Sequence, residues 1–355
     1  MKILIIGPSW VGDMVMSQSL YRTLKVRHPD AVIDVMAPAW CRLVLDCMPE
    51  VNEAIAMPLG HGKLKVGVRR NLGLSLKSRC YDQAIVLPGS FKSALVPWFA
   101  GIPKRTGWRG EMRYGLLNDM RVLDAQAFPL MVQRYVALAF DKSAMTSAQA
   151  IPEPLLTPQL VVDPASAQQT LQSFSLKTER PTLALCPGAE FGPAKRWPDY
   201  HYAKVAETML AQGWQILLFG SDNDKAVGDA IVETVSPARR DRCINLAGKT
   251  SLGQAIEILS QCSAAISNDS GLMHVAAAVG LPLVALYGPS SPDFTPPLSD
   301  QAKVLRLITG YLKIRKGESE QGYHQSLIDI SPEMAIDALQ EVLGAHTASK
   351  CEIAV

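Results

Sequence analysis

Apolar and polar positions come in blocks along this chain, and the blocks repeat. Lys2 to Gly7 is a continuous apolar run, Pro8 to Asp13 is a short break, and Met14 to Arg27 carries apolar residues at Val15, Leu20, Tyr21 and Leu24, the spacing of one helix face. Val32 to Ala37, Glu53 to Met57 and Gln83 to Leu87 read as further strands with helical or irregular connections. In the second half, Thr182 to Cys186, Trp214 to Phe219, Asn245 to Ala247, Ala264 to Ser267 and Leu283 to Tyr287 predict strands. Helices are predicted from Asp199 to Gln212 and from Leu272 to Val279, stopped by Gly213 and Gly280, with Pro282 just beyond the second. Alternation of this kind predicts an α/β fold with two Rossmann-like, doubly wound domains. The Pro- and Thr-rich stretch from Thr146 to Pro164 has no period and separates them, giving domains 1–163 and 164–330; Ser166 to Phe174 is a helix that fits either side. Ser331-Pro332-Glu333 then opens a C-terminal helix running to about Leu343, with a frayed tail, over 331–355.

Candidate chemistry falls at the ends of the predicted strands. The run from Ala264 enters Asn268-Asp269-Ser270-Gly271, and a helix with His274 in its first turn follows. A helix that starts at the carboxyl edge of a parallel sheet offers unpaired N–H groups and the positive end of its dipole, which together attract anions. Asp269 and Ser270 are also ordinary capping residues, so the same letters serve a purely structural turn. The loop after Cys186 holds Gly188 and ends in Lys195-Arg196-Trp197-Pro198, and the strand at Trp214 enters Gly220-Ser221-Asp222. By parallel-sheet rules these loops line one crevice, where Lys195, Ser270 and Gly271 can hold a pyrophosphate and Asp222 can accept from ribose hydroxyls, with Asp224 an equal rival.

The first loop does different work. Gly7 to Asp13 misses the dinucleotide fingerprint because position 9 is Ser, and misses the phosphate-binding loop because Asp13 stands where a lysine belongs. A carboxylate there would repel phosphate, but beside Gly12 it suits a general base; helix capping is the plainer alternative.

The segments GPSWVGDM, RTGWRGEMRYG, CPGAEFGPAKRWP, NDSGLMH and ALYGPSSPDFTPP, in this order over nearly the whole chain, resemble the glycosyltransferase family 9 heptosyltransferases. That resemblance implies the GT-B layout, two Rossmann-like domains facing a cleft, and inverting transfer of L-glycero-D-manno-heptose from ADP-heptose to the first heptose of the lipopolysaccharide inner core. It implies Asp13 as the base and Lys195 as the phosphate-contacting lysine. The donor would lie against Gly188, Lys195, Gly220, Ser221, Asp222, Asp269, Ser270, Gly271 and His274, and the acceptor against Gly12, Lys92, Arg109 and Arg113. No metal and no cofactor is expected, since fixed donors can do the work of a cation on the leaving diphosphate. A different heptosyltransferase or a sugar-nucleotide epimerase is the alternative. An NAD-dependent oxidoreductase wants the broken glycine fingerprint, and a solute-binding protein wants an export signal.

Composition alters little of this. With 355 residues, 48% hydrophobic, 19% charged and net charge +2, the chain is an ordinary globular protein of about two domains, and nucleic acid is an unexpected partner. Neither signal peptide nor membrane span is evident, so a cytoplasmic location is expected. The seven cysteines, with no C-x-x-C spacing, read as reduced, mostly buried thiols. Charge distribution matters more than its sum. Lys63, Lys65, Arg69, Arg70, Lys77 and Arg79 form a basic run, and Lys92, Lys104, Arg105, Arg109, Arg113 and Arg121 a second, interleaved with Trp98, Phe99 and Trp108. These suit either a solvated face or contact with a phosphorylated glycolipid at the inner face of the inner membrane.

Overall fold

The computed structural model describes residues 1–60, 62–177 and 179–353, the side chains of the final helical residues 348–353 excepted. The chain divides into two compact units, Met1–Gln159 and Leu160 onward. Hydrogen bonding explains where the division falls. The Gln159 backbone is held in both directions by the Gln18 side chain, at 2.9 and 2.7 Å, whereas the N–H of the next residue, Leu160, donates to the Ala278 carbonyl at 2.9 Å. The boundary thus lies just ahead of the expected position at Asp163, which instead caps a helix by accepting from the N–H groups of Ala165 and Ser166.

The first unit runs β1 (Lys2–Ile6), α1 (Val11–Arg27), β2 (Val32–Pro38), α2 (Arg42–Leu45), β3 (Glu53–Met57), α3 (Val66–Leu76), β4 (Gln83–Val86), α4 (Leu95–Phe99), β5 (Lys104–Trp108), β6 (Asp119–Arg121) and α5 (Met131–Val136). The second runs α6 (Pro164–Ser173), β7 (Thr182–Cys186), α7 (Asp199–Ala211), β8 (Gln215–Leu218), α8 (Lys225–Thr234), β9 (Cys243–Asn245), α9 (Leu252–Leu259), β10 (Ala264–Asn268), α10 (Gly271–Ala278), β11 (Leu283–Leu286), β12 (Ala302–Leu305), α11 (Gln325–Ile328) and α12 (Pro332–Ile353). Each unit builds one six-stranded parallel sheet, in the orders β3-β2-β1-β4-β5-β6 and β12-β11-β10-β7-β8-β9. Counted within its own unit, the second order is the first one repeated. Both are the doubly wound arrangement, in which strand order reverses beside the first strand and leaves a crevice at the carboxyl edge. The reversals fall between β1 and β4 and between β7 and β10.

Central strands are unbroken apolar runs because both faces are covered: Ile3, Leu4 and Ile5 of β1 and Ala264, Ala265 and Ile266 of β10 have no exposed surface. Two strands at one edge, β5 and β6, carry Lys104, Arg105, Asp119 and Arg121 and so lack the apolar run that marks a buried strand. The C-terminal helix is part of the second unit. Ala335, Ala338 and Leu339 of α12 pack into the cluster of Leu183, Leu185 and Ile266, and the helix continues past Leu343 to Ile353. Cys41, Cys186 and Cys243 are buried free thiols and Cys80 is exposed, while the Cys351 side chain lies outside the described residues. Among the described residues no helix is long and apolar enough to cross a membrane.

Close packing of α3 on α4 depends on Gly73, where a Cβ would lie 2.6 Å from the Phe99 Cβ and 2.7 Å from the Val96 carbonyl oxygen. Helix propensity favours alanine over glycine by about 1 kcal/mol, but a methyl group against a backbone oxygen forces the helices apart at a typical cost of about 1–3 kcal/mol. Gly73→Ala is therefore expected to lower the urea midpoint of unfolding; an unchanged or raised midpoint would show that α3 moves aside without loss.

Candidate functional site

In the second unit the loops after β7 and β10, which flank the strand reversal, are tied by one side chain. Asn268, with no exposed surface, ends β10; its Oδ1 accepts from the Trp197 backbone N–H and the Tyr202 hydroxyl, both at 3.0 Å, and its Nδ2 donates to the Pro187 carbonyl at 2.7 Å. Trp197 is buried against Tyr202 and donates its indole N–H to Ile330, which fixes the far end of the same loop. The fixed loop presents Lys195, whose Nζ lies 2.6 Å from Oδ2 of the buried Asp269. Next along, Ser270 has extended backbone angles and makes no side-chain cap, so α10 starts at Gly271 with its first-turn N–H groups unpaired within the helix. A cation, a carboxylate and a helix start thus converge at the reversal between β7 and β10, an arrangement whose chemistry suits an anion.

His274 faces this group from the first turn of α10. It is buried, and desolvation pushes its pKa down to about 4, against a smaller upward pull from Asp269, with Lys195 adding to the fall. The ring is therefore neutral at physiological pH, a hydrogen-bonding group and not a third charge.

The loop after β8 separates two acids that looked equivalent. Asp224 is buried; its Oδ1 pairs with Arg196 at 3.1 Å and its Oδ2 accepts from the N–H and Oγ of Ser221 at 2.9 and 2.8 Å. It also fills the space beside Gly188 and Gly220, where a Cβ would lie 2.6 Å from its side chain in each case. Asp224 is thus a structural clamp, while Asp222 and Ser221 are exposed at the turn. Arg315, on a polar loop whose sequence carries no motif, comes beside the loop of Lys195. Its guanidinium sits 5.2 Å from the Phe191 ring centre, Lys195 Nζ sits 5.6 Å from the same ring, and the Arg315 carbonyl accepts from the Ala194 N–H. Gly192 allows this contact: at φ +144° its Cβ position would lie 2.4 Å from that carbonyl.

In the first unit a cavity of about 580 Å³ opens over the carboxyl ends of β1 to β4, lined by Gly7, Pro38, Leu64, Arg69, Phe91 and Lys92 among others. Asp13 is the third residue of α1, half-buried, in the first turn where the helix dipole favours a carboxylate; Trp10, not Asp13, holds the N-cap position. Burial of Tyr135, with a further push from the Asp13 charge, holds that phenol well above its usual range.

Of the four expected acceptor contacts, Lys92 lines the cavity, Arg109 is exposed after β5, and Gly12 is buried within α1. Arg113 requires correction. It has no exposed surface, and its guanidinium donates to the carbonyls of Pro88 and Trp108, so it braces loops and reaches no ligand directly. Arg69 is likewise turned inward, donating to the carbonyls of Leu64 and Lys63 at 2.7 and 3.1 Å, and shapes the cavity rim.

A family model described as glycosyltransferase family 9 (heptosyltransferase) matches residues 69–324, most of the chain. This chain belongs to glycosyltransferase family 9. As a family 9 member it is a glycosyltransferase, and whole-chain comparisons agree. Lipopolysaccharide heptosyltransferase 2 of Escherichia coli is 63% identical over 343 residues, covering 97% of this chain and 99% of that one. Lipooligosaccharide heptosyltransferase 2 of Haemophilus influenzae is 57% identical over 348 residues, with the same coverage. The solved structure of the E. coli ADP-heptose lipopolysaccharide heptosyltransferase II superposes with a TM-score of 0.91 at 59% identity, covering 98% of this chain and all of that one. The chain shares with that structure the GT-B fold class of two Rossmann-like units.

Removing the amide of Asn268 by Asn268→Ala leaves the buried Trp197 N–H and Pro187 carbonyl without partners, so a loss on the order of 3 kcal/mol in urea unfolding is expected. Wild-type stability would contradict the tie. For His274 the sign follows from its depressed pKa. Between pH 6.5 and about 4 the unfolded chain binds the proton and the folded chain does not, so stability falls as pH drops through that window. His274→Gln should flatten this part of the stability–pH curve; an unchanged slope would place the titration elsewhere.

Proposed function

We propose that this chain moves L-glycero-D-manno-heptose from ADP-heptose onto the first heptose of the phosphorylated lipopolysaccharide inner core, with inversion at the anomeric carbon. Heptose transfer in inner-core biosynthesis is supported by heptosyltransferase 2 relatives that span the chain at high identity, and an epimerase is not favoured for the same reason. The observation that carries the mechanism is the convergence of Lys195, Asp269 and the start of α10 at one strand reversal of the second unit.

In this reading the second unit holds the donor. Departure of ADP builds negative charge on its β-phosphate, which the Lys195 ammonium and the N–H groups at Ser270 and Gly271 stabilise. Asp269 meets Lys195 at 2.6 Å and positions it for the diphosphate. Asp222, exposed beside Gly248, accepts from the ribose hydroxyls, because the lone pairs of Asp224 are already taken by Arg196 and Ser221. Gly188 and Gly220 keep the floor low, and His274 contributes as a neutral hydrogen-bonding group. The first unit serves the acceptor: Asp13 takes the proton from the attacking hydroxyl, that oxygen bonds to the anomeric carbon as the bond to ADP breaks, and no covalent sugar–enzyme species forms. Lys92 and Arg109 meet acceptor phosphates. Fixed donors replace a metal ion, no cofactor takes part, and nucleic acid is not a partner. The enzyme works in the cytoplasm, peripheral to the inner membrane.

Asp13→Asn is expected to keep ADP affinity while turnover of ADP-heptose falls about a hundred- to ten-thousand-fold. Near-normal turnover would remove Asp13 from the role of base. Lys195→Ala is expected to weaken ADP by about tenfold or more in calorimetry and to slow transfer, the loss of a charged hydrogen bond being about 1.5–3 kcal/mol. Transfer should persist in excess EDTA, and activity restored only by added divalent ions would overturn the metal-free reading.

A further inference from the structure

From Ala54 to Tyr81 the chain carries no acidic residue. Two of the cations there are used internally: Arg69 braces the loop before α3, and Arg79 pairs with Glu53 and approaches Asp34 at 3.7 Å. The other four, Lys63, Lys65, Arg70 and Lys77, are exposed. The same surface exposes aliphatic side chains that an ordinary solvated helix would not: Val66 (44%), Val68 (39%) and Leu74 (44%) on α3, with Leu64 (47%) just ahead of it. Val66, Arg70 and Leu74 follow one another at intervals of four, so they form one stripe with a cation between two apolar residues. Gly73 and Leu76, further round the helix, are buried, with Gly73 against α4. On α4, Trp98 is 44% exposed beside Phe99.

We propose that this outer face of α3, with Trp98 of α4, docks the enzyme on an anionic phospholipid bilayer. Three observations favour lipid over a protein partner. The exposed charge is of one sign, which complements anionic headgroups. Lysine flanking exposed aliphatics, with an exposed tryptophan on the helix packed against theirs, is the composition of an interfacial helix, whereas the core of a protein interface is depleted in lysine. The patch is also continuous with the cavity of the first unit, because Leu64 and Phe91 both line the cavity and are exposed. An 11-residue helix spans about 16 Å and cannot cross a bilayer of about 30 Å, so α3 lies in the interface plane. Docking by this face brings the cavity rim to the lipid surface. The inference rests on the reading that the acceptor is membrane-borne, and it adds which face meets the membrane.

Co-sedimentation with vesicles containing no acceptor tests the face independently of the reaction. The wild-type chain should partition onto phosphatidylglycerol-containing vesicles and not onto pure phosphatidylcholine, and high salt should release it. Lys65→Ala with Arg70→Ala should reduce partitioning by about tenfold or more. Val66→Ser with Leu74→Ser should reduce it severalfold while leaving thermal stability and turnover of a delipidated, soluble acceptor unchanged. Fluorescence lost to brominated lipid in the wild type, but not in Trp98→Phe, would report Trp98 at the acyl boundary. Vesicle binding that is absent, indifferent to lipid charge, or unaffected by both double variants would overturn the proposal. So would a fall in soluble-acceptor turnover in Val66→Ser with Leu74→Ser, which would make the stripe part of the acceptor site. Failure of heptose transfer itself would count against the functional reading and leave the vesicle result standing.

Discussion

Much of the donor-side geometry depends on the buried amide of Asn268. It has one acceptor and one two-hydrogen donor, and the structure uses both ends: the oxygen takes hydrogen bonds from Trp197 and Tyr202, and the nitrogen gives one to Pro187. These partners belong to the loop after β7 and the helix that follows it, whereas Asn268 ends β10. A buried amide left unsatisfied is costly, so the two loops are held in one register as long as the unit is folded. Lys195 and Asp269 are consequently presented 2.6 Å apart without either loop having to find the other when a ligand arrives. Fixing such groups before the reaction is what makes electrostatic stabilisation of a leaving group effective.

The two units repeat one topology and differ in what their loops carry. At the reversal between β7 and β10 the chain places a lysine and an open helix start; after β1 it places Asp13 in a helix's first turn. A carboxylate at the second position repels phosphate, and an ammonium at the first cannot take a proton from an alcohol at neutral pH. In the proposed mechanism the division of labour follows from this difference: Asp13 is a carboxylate at the start of α1, whereas Asp269 at the start of α10 is paired with Lys195. The clamp of Asp224 by Arg196 and Ser221 extends the same logic, since an acid buried and partnered inside the protein shapes the loop and leaves Asp222 as the acid exposed at that turn.

Buried strands were the legible part of the fold. Those covered on both faces read as continuous apolar runs, and their ends mostly fall within a residue or two of the expected positions, as at Thr182–Cys186 and Gln83–Val86. Strands β5 and β6 have no such run: β6 is the edge strand, and β5, though paired on both sides, is only partly covered, with Lys104 exposed and Arg105 half-buried. At the site, residues with a local spelling were found: Lys195 before Trp197-Pro198, and Asp269-Ser270-Gly271 before a helix. Partners joined only by folding were not. Asn268 read as a turn residue, Arg315 lies over a hundred residues from the Phe191 ring it stacks on, and Asp224 could be separated from Asp222 only by burial. Arg113 illustrates the opposite failure, in which proximity to other cations in sequence suggested a surface patch although the side chain has no exposed surface.

The central claim is that the second unit's strand reversal seats a diphosphate while the first unit supplies the base. A crystal structure with ADP bound examines it most directly. The account predicts β-phosphate oxygens within hydrogen-bonding distance of Lys195 Nζ and the Gly271 N–H, with the ribose turned toward Asp222. A diphosphate lodged instead beside Gly12 and Asp13 would contradict the assignment of the two units.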